Sequence, residues 1–259
     1  MGVGWGEELD EACNLSLPPP RPILAERDAL KIVKMPSAGR TLIALLLPLA
    51  SASALRVPPP SMGASSVSLV DVDLAGGKTI GVFPAWPVWP AEQALARVMA
   101  HAPSLCRGKR VLELGCGLGA IGLACAASGA FEVLLTDAEE PMVACARGAV
   151  AAHGFDNVHV AVLDWADAEQ LHALRQSCFD IIVAADVLYD ESAPALVANL
   201  LATLIVQPGT RALIADPAKR PYRTAFDIAL MERGMRMEEG PLPGPDGMRL
   251  LSITRMYMA

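Results

Sequence analysis

The chain has 259 residues, 53% of them hydrophobic, with 21 basic against 28 acidic side chains and a formal net charge of −7. That length suits one domain of about 180 to 200 residues plus an extension. The acidic balance speaks against a nucleic-acid partner, which calls for a basic excess; it fits either a plain acidic surface or the attraction of a lysine-bearing partner.

The first feature in chain order is the apolar run Thr41-Leu-Ile-Ala-Leu-Leu-Leu-Pro-Leu-Ala-Ser-Ala-Ser-Ala54, which is too short to span a bilayer as a helix. Lys31, Lys34 and Arg40 precede it, and Ala52-Ser-Ala54 matches an A-x-A cleavage pattern, so the layout is that of a signal peptide. The acidic stretch Glu7 to Glu11 is a poor start for one. Met35-Pro-Ser-Ala-Gly-Arg40 would open a conventional signal, which puts Met35 forward as the true start. Leu55-Arg-Val-Pro-Pro-Pro-Ser61 reads as a linker. Residues 1–61 are therefore expected to be a targeting or disordered extension, and residues 62–259 the working domain. A signal ending in Ala-Ser-Ala before such a linker resembles bipartite presequences of algae with complex plastids. Plastid or mitochondrion is the expected destination; secretion, or a cytoplasmic protein in which this segment is no signal, stays open. No stable membrane span is expected in the mature chain.

From Val67 to Val82 the sequence predicts one or two strands turning at Gly76-Gly77. Helical spacing runs over 91–100. Strands and helices then alternate: strand 110–114, helix 119–128, strand 132–136, helix 139–152, strand 158–163, helix 167–175, strand 179–185, helix 193–204, strand 210–215, helix 222–232. Gly129 and Gly154 sit where helix C-caps belong, and Pro141 fits a first helical turn. Two last elements, near Met235–Glu239 and Met248–Met258, flank Gly/Pro-rich sequence. Alternation of this kind predicts an α/β, Rossmann-like, doubly wound fold: a mostly parallel sheet covered on both faces. In such sheets ligands bind at the C-terminal strand ends.

The most informative stretch is Arg110-Val-Leu-Glu-Leu-Gly-Cys-Gly-Leu-Gly-Ala-Ile-Gly122, a strand, a tight turn and a helix start. Gly115, Gly117 and Gly119 would let a ligand lie against bare backbone, and the unpaired N–H groups of the first helical turn are expected to face that ligand. Gly117-Leu-Gly119-Ala-Ile-Gly122 satisfies the G-x-G-x-x-G dinucleotide pattern, but its neighbours point elsewhere. Glu113 stands where a carboxylate can face a cationic ligand. Asp137 ends a strand and suits two ribose hydroxyls. Asp164 and Trp165 end another, an acid and an indole able to flank adenine. An adenosine carrying a sulfonium and no pyrophosphate fits these neighbours better than a dinucleotide.

The pattern Glu113-x-Gly115-x-Gly117-x-Gly119 resembles the first motif of class I S-adenosylmethionine-dependent methyltransferases, with Asp137 and Asp164 where the family's next two acids fall. Val88-Trp-Pro-Ala-Glu-Gln-Ala-Leu-Ala-Arg97 and Asp180-Ile-Ile-Val-Ala-Ala-Asp-Val-Leu-Tyr189 are similar to the branch of protein-lysine methyltransferases and nicotinamide N-methylase-like proteins. Ile214-Ala-Asp-Pro-Ala-Lys-Arg-Pro-Tyr222 is similar to a Gly-Asp-Pro-Gly-Arg segment of enzymes that methylate lysines of the electron-transfer flavoprotein β subunit; here Ala215 replaces the first glycine and Ala218-Lys219 the second. The resemblance implies a seven-stranded sheet with an antiparallel C-terminal pair. It implies S-adenosyl-L-methionine as cofactor, held around Trp89, Glu113, Gly115, Cys116, Gly117, Gly119, Asp137, Asp164, Trp165 and Ala185. It makes Asp186-Val-Leu-Tyr189 the substrate-side motif, with Asp186 orienting an amine and Tyr189 shaping the pocket. The implied activity is methyl transfer to a protein lysine, with the flavoprotein β subunit as a candidate partner and a monomeric enzyme.

Other readings stand beside these. Trp89 and Trp165 are equally able to serve as packing residues, Trp89 as a staple where its helix starts; Tyr189 is able to pack in the core with its hydroxyl at the rim. Cys116 has no histidine near it in sequence to make it a nucleophile. Six cysteines with no C-x-x-C, and histidines at 101, 153, 159 and 172, offer no metal set. A small-molecule N-methyltransferase, a catalytically dead binding module and, through G-x-G-x-x-G alone, an NAD-dependent oxidoreductase remain as alternative functions.

Overall fold

The computed structural model describes residues 69–83, 86–244 and 247–257. The apolar run 41–54, Met35 and the linker 55–61 lie outside the described residues, as do Pro84 and Ala85.

β1 (Val70–Asp73) and β2 (Thr79–Val82) form an antiparallel hairpin with Val70 opposite Val82 and Asp73 opposite Thr79. Ala75, Gly76 and Gly77 all take positive φ in its turn. The hairpin is a small sheet of its own. α1 (Pro90–His101) opens on a proline at its first turn, where no N–H is missed, and buries Ala91, Glu92, Ala94, Leu95 and Met99.

Seven strands then build one sheet in the order β5-β4-β3-β6-β7-β9-β8. They are β3 (Arg110–Leu114), β4 (Glu132–Asp137), β5 (Val158–Val162), β6 (Ile181–Ala185), β7 (Arg211–Asp216), β8 (Met235–Pro241) and β9 (Arg249–Arg255). The first five run parallel, and β9 inserts antiparallel between β7 and β8. The expected mostly parallel sheet with an antiparallel C-terminal pair is borne out. Between strands run α2 (Ala120–Ala127), α3 (Glu140–His153), α4 (Ala168–Arg175), α5 (Ala193–Leu204) and α6 (Arg223–Met231).

Period-two alternation along the central strands divides the core between two faces. Val111, Ile181, Val183, Leu213 and Ala215 pack with α1, α2 and α3. Leu112, Leu114, Ile182, Ala184, Ala212 and Ile214 pack with α4, α5 and α6, around the fully buried Phe226, Leu200 and Leu201. Each of the Val, Leu, Ile and Phe side chains among them contributes about 1.5–3 kcal/mol of burial. α2 consists of small and apolar residues buried almost throughout, as suits a helix enclosed on all sides. Its Gly122 is required: a Cβ there would lie 2.1 Å from Leu135 Cδ2 and 2.7 Å from Glu113 Oε2.

Order β4-β3-β6 places the chain reversal between β3 and β6, since the strands before β6 extend one way and those after it the other. The loops following β3 and β6 therefore flank the crevice where doubly wound sheets take ligands.

Candidate active site

The turn after β3 is built as its glycines demand. Gly115, Gly117 and Gly119 have φ of 65°, 52° and 83°, a region that side chains with a Cβ rarely enter. The turn is tied to β4 and to itself: Cys116 N–H donates to Thr136 O at 2.8 Å, and Gly119 N–H donates to Cys116 O at 2.7 Å. Cys116 is buried, and burial beside Glu113 pushes its thiol well above the usual range. It stays protonated, which removes it as a nucleophile and leaves its backbone as the useful part.

The first turn of α2 departs from expectation. Two of its N–H groups are taken by the protein itself. Ala120 N–H donates to Glu92 Oε1 at 3.0 Å, and Gly122 N–H donates to Glu113 Oε2 at 2.8 Å. Two carboxylates from the protein itself fill the place an anion would take. Glu113 is 1% exposed, so it supports the turn from within rather than facing an open site. Burial, with Glu92 nearby, raises its carboxyl well above the ordinary value. Burial likewise pushes Glu92 up to about 7, against the hydrogen bond from Ala120.

Asp137 lies half-buried at the end of β4. Its Oδ2 accepts from Gly117 N–H at 2.9 Å and its Oδ1 from Glu139 N–H at 3.0 Å. It thus joins the glycine turn directly and retains lone pairs for hydroxyl groups beyond it. Asp164 is exposed after β5 and accepts from Ala166 N–H at 2.8 Å. The indole of Trp165 reaches the turn: a Cβ on Gly115 would meet Trp165 Cζ2 at 3.4 Å and Val187 Cγ1 at 3.6 Å. Trp89 precedes α1 in extended backbone and is 63% exposed, one turn from Glu92.

Across the reversal, β6 ends in Ala185, and Asp186 follows it. Asp186 has φ 57°, a left-handed conformation that Asp and Asn tolerate better than other side chains. Its N–H donates to Ala215 O at 2.9 Å. Its Oδ1 is paired with Arg220, which also donates through Nε to Asp216 Oδ1 at 3.2 Å. Asp216, at the end of β7, has no exposed surface and takes a second guanidinium, Arg223, at 2.5 Å. Burial raises its carboxyl to about 6 against the pull of Arg223. Arg223 continues to Glu239 at 3.1 Å, and Arg249 donates to the same Glu239. Tyr189 is 65% exposed, so core packing does not describe it. Among the described residues no three His, Cys, Asp or Glu gather to hold a metal ion.

A family profile described as lysine methyltransferase matches residues 80–231. The chain belongs to the lysine methyltransferase family. It is 33% identical over 144 residues to the electron transfer flavoprotein beta subunit lysine methyltransferase of Xenopus laevis, covering 54% of each chain. The protein of the same description from Rattus norvegicus is 32% identical over 163 residues, 62% of this chain and 60% of that one. The match thus spans somewhat over half the length of these curated relatives. Among solved structures, a ribosomal protein L11 methylase from Lactobacillus delbrueckii subsp. bulgaricus shares the fold with a TM-score of 0.54, at 16% identity, over 72% of this chain and 99% of that one.

Within this family member, three residues extend the sequence-derived site. Glu92 lies 28 positions before Ala120, and Arg220 lies 34 positions after Asp186. Asp216, which bridges Arg220 and Arg223, had appeared only inside the Ala-Asp-Pro segment. An acid in the first turn of α1, straight after Trp89-Pro90, and an arginine just past a strand end were the signals available.

Proposed function

We propose that this protein transfers a methyl group from S-adenosyl-L-methionine to the side-chain amine of a protein lysine, with residues 62–259 as the methyltransferase domain. The observation that carries the choice of cofactor is the filling of the first turn of α2 by Glu92 and Glu113. A dinucleotide needs free N–H groups there for its pyrophosphate, and would meet two carboxylates instead. A cationic, phosphate-free nucleoside meets no such conflict. Membership of the lysine methyltransferase family supports the choice of acceptor.

The residues present fit this cofactor. The three left-handed glycines leave backbone bare, Asp137 offers acceptors for ribose hydroxyls, and Trp165, whose indole reaches Gly115, would bound adenine together with Asp164; Cys116 and Ala185 would contribute backbone, and Trp89 the exposed indole at the start of α1. When bound, the cofactor supplies a methyl group on positive sulfur: the amine lone pair forms the N–C bond while the S–C pair stays on sulfur, leaving a neutral thioether and a methylated ammonium. The amine must reach the site without its proton, which at pH 7 costs about 4–5 kcal/mol from a reference pKa near 10.4. Asp186, fixed at the end of β6, orients the amine and accepts its N–H; Tyr189 borders the approach, where its ring is able to contact a cation.

The names of the relatives make the electron-transfer flavoprotein β subunit the first acceptor to test, in a monomeric enzyme of plastid or mitochondrion. Among the described residues no helix is long and apolar enough to cross a membrane. The test is incorporation of tritiated methyl into an organellar protein extract and into the purified β subunit. Label recovered as methyl-lysine is expected. Label found only in small amines, or none at all, would contradict the reading.

A further inference from the structure

Asp186 is not alone in its corner of the site. One of its two carboxylate oxygens is already engaged by Arg220, whose guanidinium is itself held by the buried Asp216. Asp186 and Arg220 keep 25% and 17% of their side-chain surface exposed. The pair is therefore sheltered yet reachable. Arg220 is also locked in place: Asp216 shares it with Arg223, and Arg223 and Arg249 both close on Glu239 from β8 and β9. A cation fixed this firmly beside the acceptor oxygen of Asp186 does more than orient it.

An ammonium and a neutral amine meet this corner differently. A free aspartate would bind the ammonium form of lysine, which has no lone pair to attack with. Arg220 neutralises much of that attraction and repels a second positive charge. The neutral amine keeps its hydrogen bond to the remaining oxygen of Asp186 and meets no repulsion. We propose that Arg220, seated on Asp186 by Asp216, makes the acceptor pocket select the neutral amine over the ammonium. This rests on the methyl-transfer reading. Arg220 would be a positioning and selecting residue, acting through Asp186 and by charge, with no bond to the methyl group.

The charged groups facing this pair are Asp216 at the end of β7, Arg223 at the start of α6, Glu239 on β8 and Arg249 on β9. Glu239 is balanced by two arginines, so among the described residues the one cation paired with Asp186 is Arg220. Changing Arg220 should alter the sign of the local preference, whereas changing Arg249 should not.

The test uses the full chain and n-butylamine, a mimic of the lysine side chain, titrated by protein NMR from pH 7 to 9.5. For the native chain, apparent affinity should rise with pH by about tenfold per unit as the neutral form accumulates below its pKa of about 10.4. Arg220→Gln should bind about tenfold more tightly at pH 7, the size of one pKa unit from a neighbouring charge, and be nearly flat with pH. Arg220→Lys, which keeps the charge, should retain the rising profile. Arg220→Gln combined with Asp186→Asn should lose the gain at pH 7. Equal or weaker binding by Arg220→Gln at pH 7, including no detectable binding by either protein, would overturn the proposal, as would parallel pH profiles. Should Arg220→Gln fail to fold, a flat profile for Arg220→Lys would overturn it equally. Affinity for S-adenosylmethionine, measured in parallel, bears on the methyl-transfer reading separately: its absence in the native chain counts against that reading and leaves the amine comparison standing.

Discussion

Glu92 and Glu113 cap the same helical turn two residues apart, Glu92 through Ala120 N–H at 3.0 Å and Glu113 through Gly122 N–H at 2.8 Å. Neither carboxyl group is more than 6% exposed, and burial, with Glu92 nearby, raises the pKa of Glu113. The glycine turn that sequence reading assigns to a ligand is thus first a place where the protein buries two carboxyl groups that hold their protons more tightly than usual. Such a pair is able to ionise against a cationic ligand, whereas a phosphate meets acceptor oxygens.

The raised carboxyl of Glu92 makes stability depend on pH. Glu92 is protonated more readily in the fold, at about 7, than in the unfolded chain, at about 4.5. Between those values the folded chain binds more protons than the unfolded one, so stability present below pH 4.5 is lost as pH rises to 7, by roughly 1 to 3 kcal/mol. Glu92→Gln keeps an acceptor for Ala120 N–H and cannot ionise. Thermal melts at pH 5, 6 and 8 should show a fall for the native chain, a shallower one for the variant, and a more stable variant at pH 8. A variant less stable at pH 8 would contradict this account of the cap.

A positive ligand should draw these carboxyls into ionisation. Binding of S-adenosylmethionine near pH 7 should release protons, read by calorimetry in two buffers of different ionisation enthalpy, and S-adenosylhomocysteine, whose sulfur is neutral, should release fewer. Equal proton release by both ligands would show that the buried acids do not sense the sulfonium.

Asp137 serves a different part of the ligand. Asp137→Ala removes charge-assisted bonds of about 1.5–3 kcal/mol, so cofactor affinity should fall roughly 10- to 150-fold. Because both ligands carry the ribose, S-adenosylmethionine and S-adenosylhomocysteine should lose equally. Unchanged affinity would reduce Asp137 to a tie for Gly117 and Glu139.

Asp186→Asn separates chemistry from cofactor binding. Asn tolerates the left-handed backbone that Asp186 occupies, so the fold should hold. Cofactor affinity should stay nearly constant while transfer to a protein lysine drops about 10²-fold or more. Tyr189→Phe should have the smaller effect, since its ring remains. Loss of cofactor binding in Asp186→Asn, or untouched transfer, would remove Asp186 from the role given to it.

Gly122 carries a purely structural expectation. Gly122→Ala drives a methyl group into Leu135 and Glu113 and should destabilise the chain by about 1–3 kcal/mol or more by denaturant melt. The third glycine of G-x-G-x-x-G here lets α2 sit tightly on β4 and β3, a role independent of nucleotide type.

The parts legible in the sequence are those set by local pattern. Short apolar runs located Arg110–Leu114 and Ile181–Ala185 within a residue or two, and three glycines at a strand end announced three positive φ angles. What stayed hidden depends on contacts between distant segments. Glu92 looked like an acid of a first helical turn; only the packing of α1 on α2 delivers it to Ala120. Arg220 meets Asp186 because β6 and β7 are neighbours, with Ala185 beside Ala215. The expectation of open N–H groups at α2 failed at Ala120 and Gly122 for the same reason, since Glu113, read as facing a cationic ligand, lies on the face of the sheet beneath that helix.

The most direct test of the central claim is calorimetric titration of the full chain with S-adenosylmethionine, S-adenosylhomocysteine and NAD under one set of conditions. The two sulfur nucleosides should bind at a single site, weakened together by Asp137→Ala, and NAD should give no heat. Binding of NAD with no heat from S-adenosylmethionine would contradict the reading of this turn as a cationic nucleoside site.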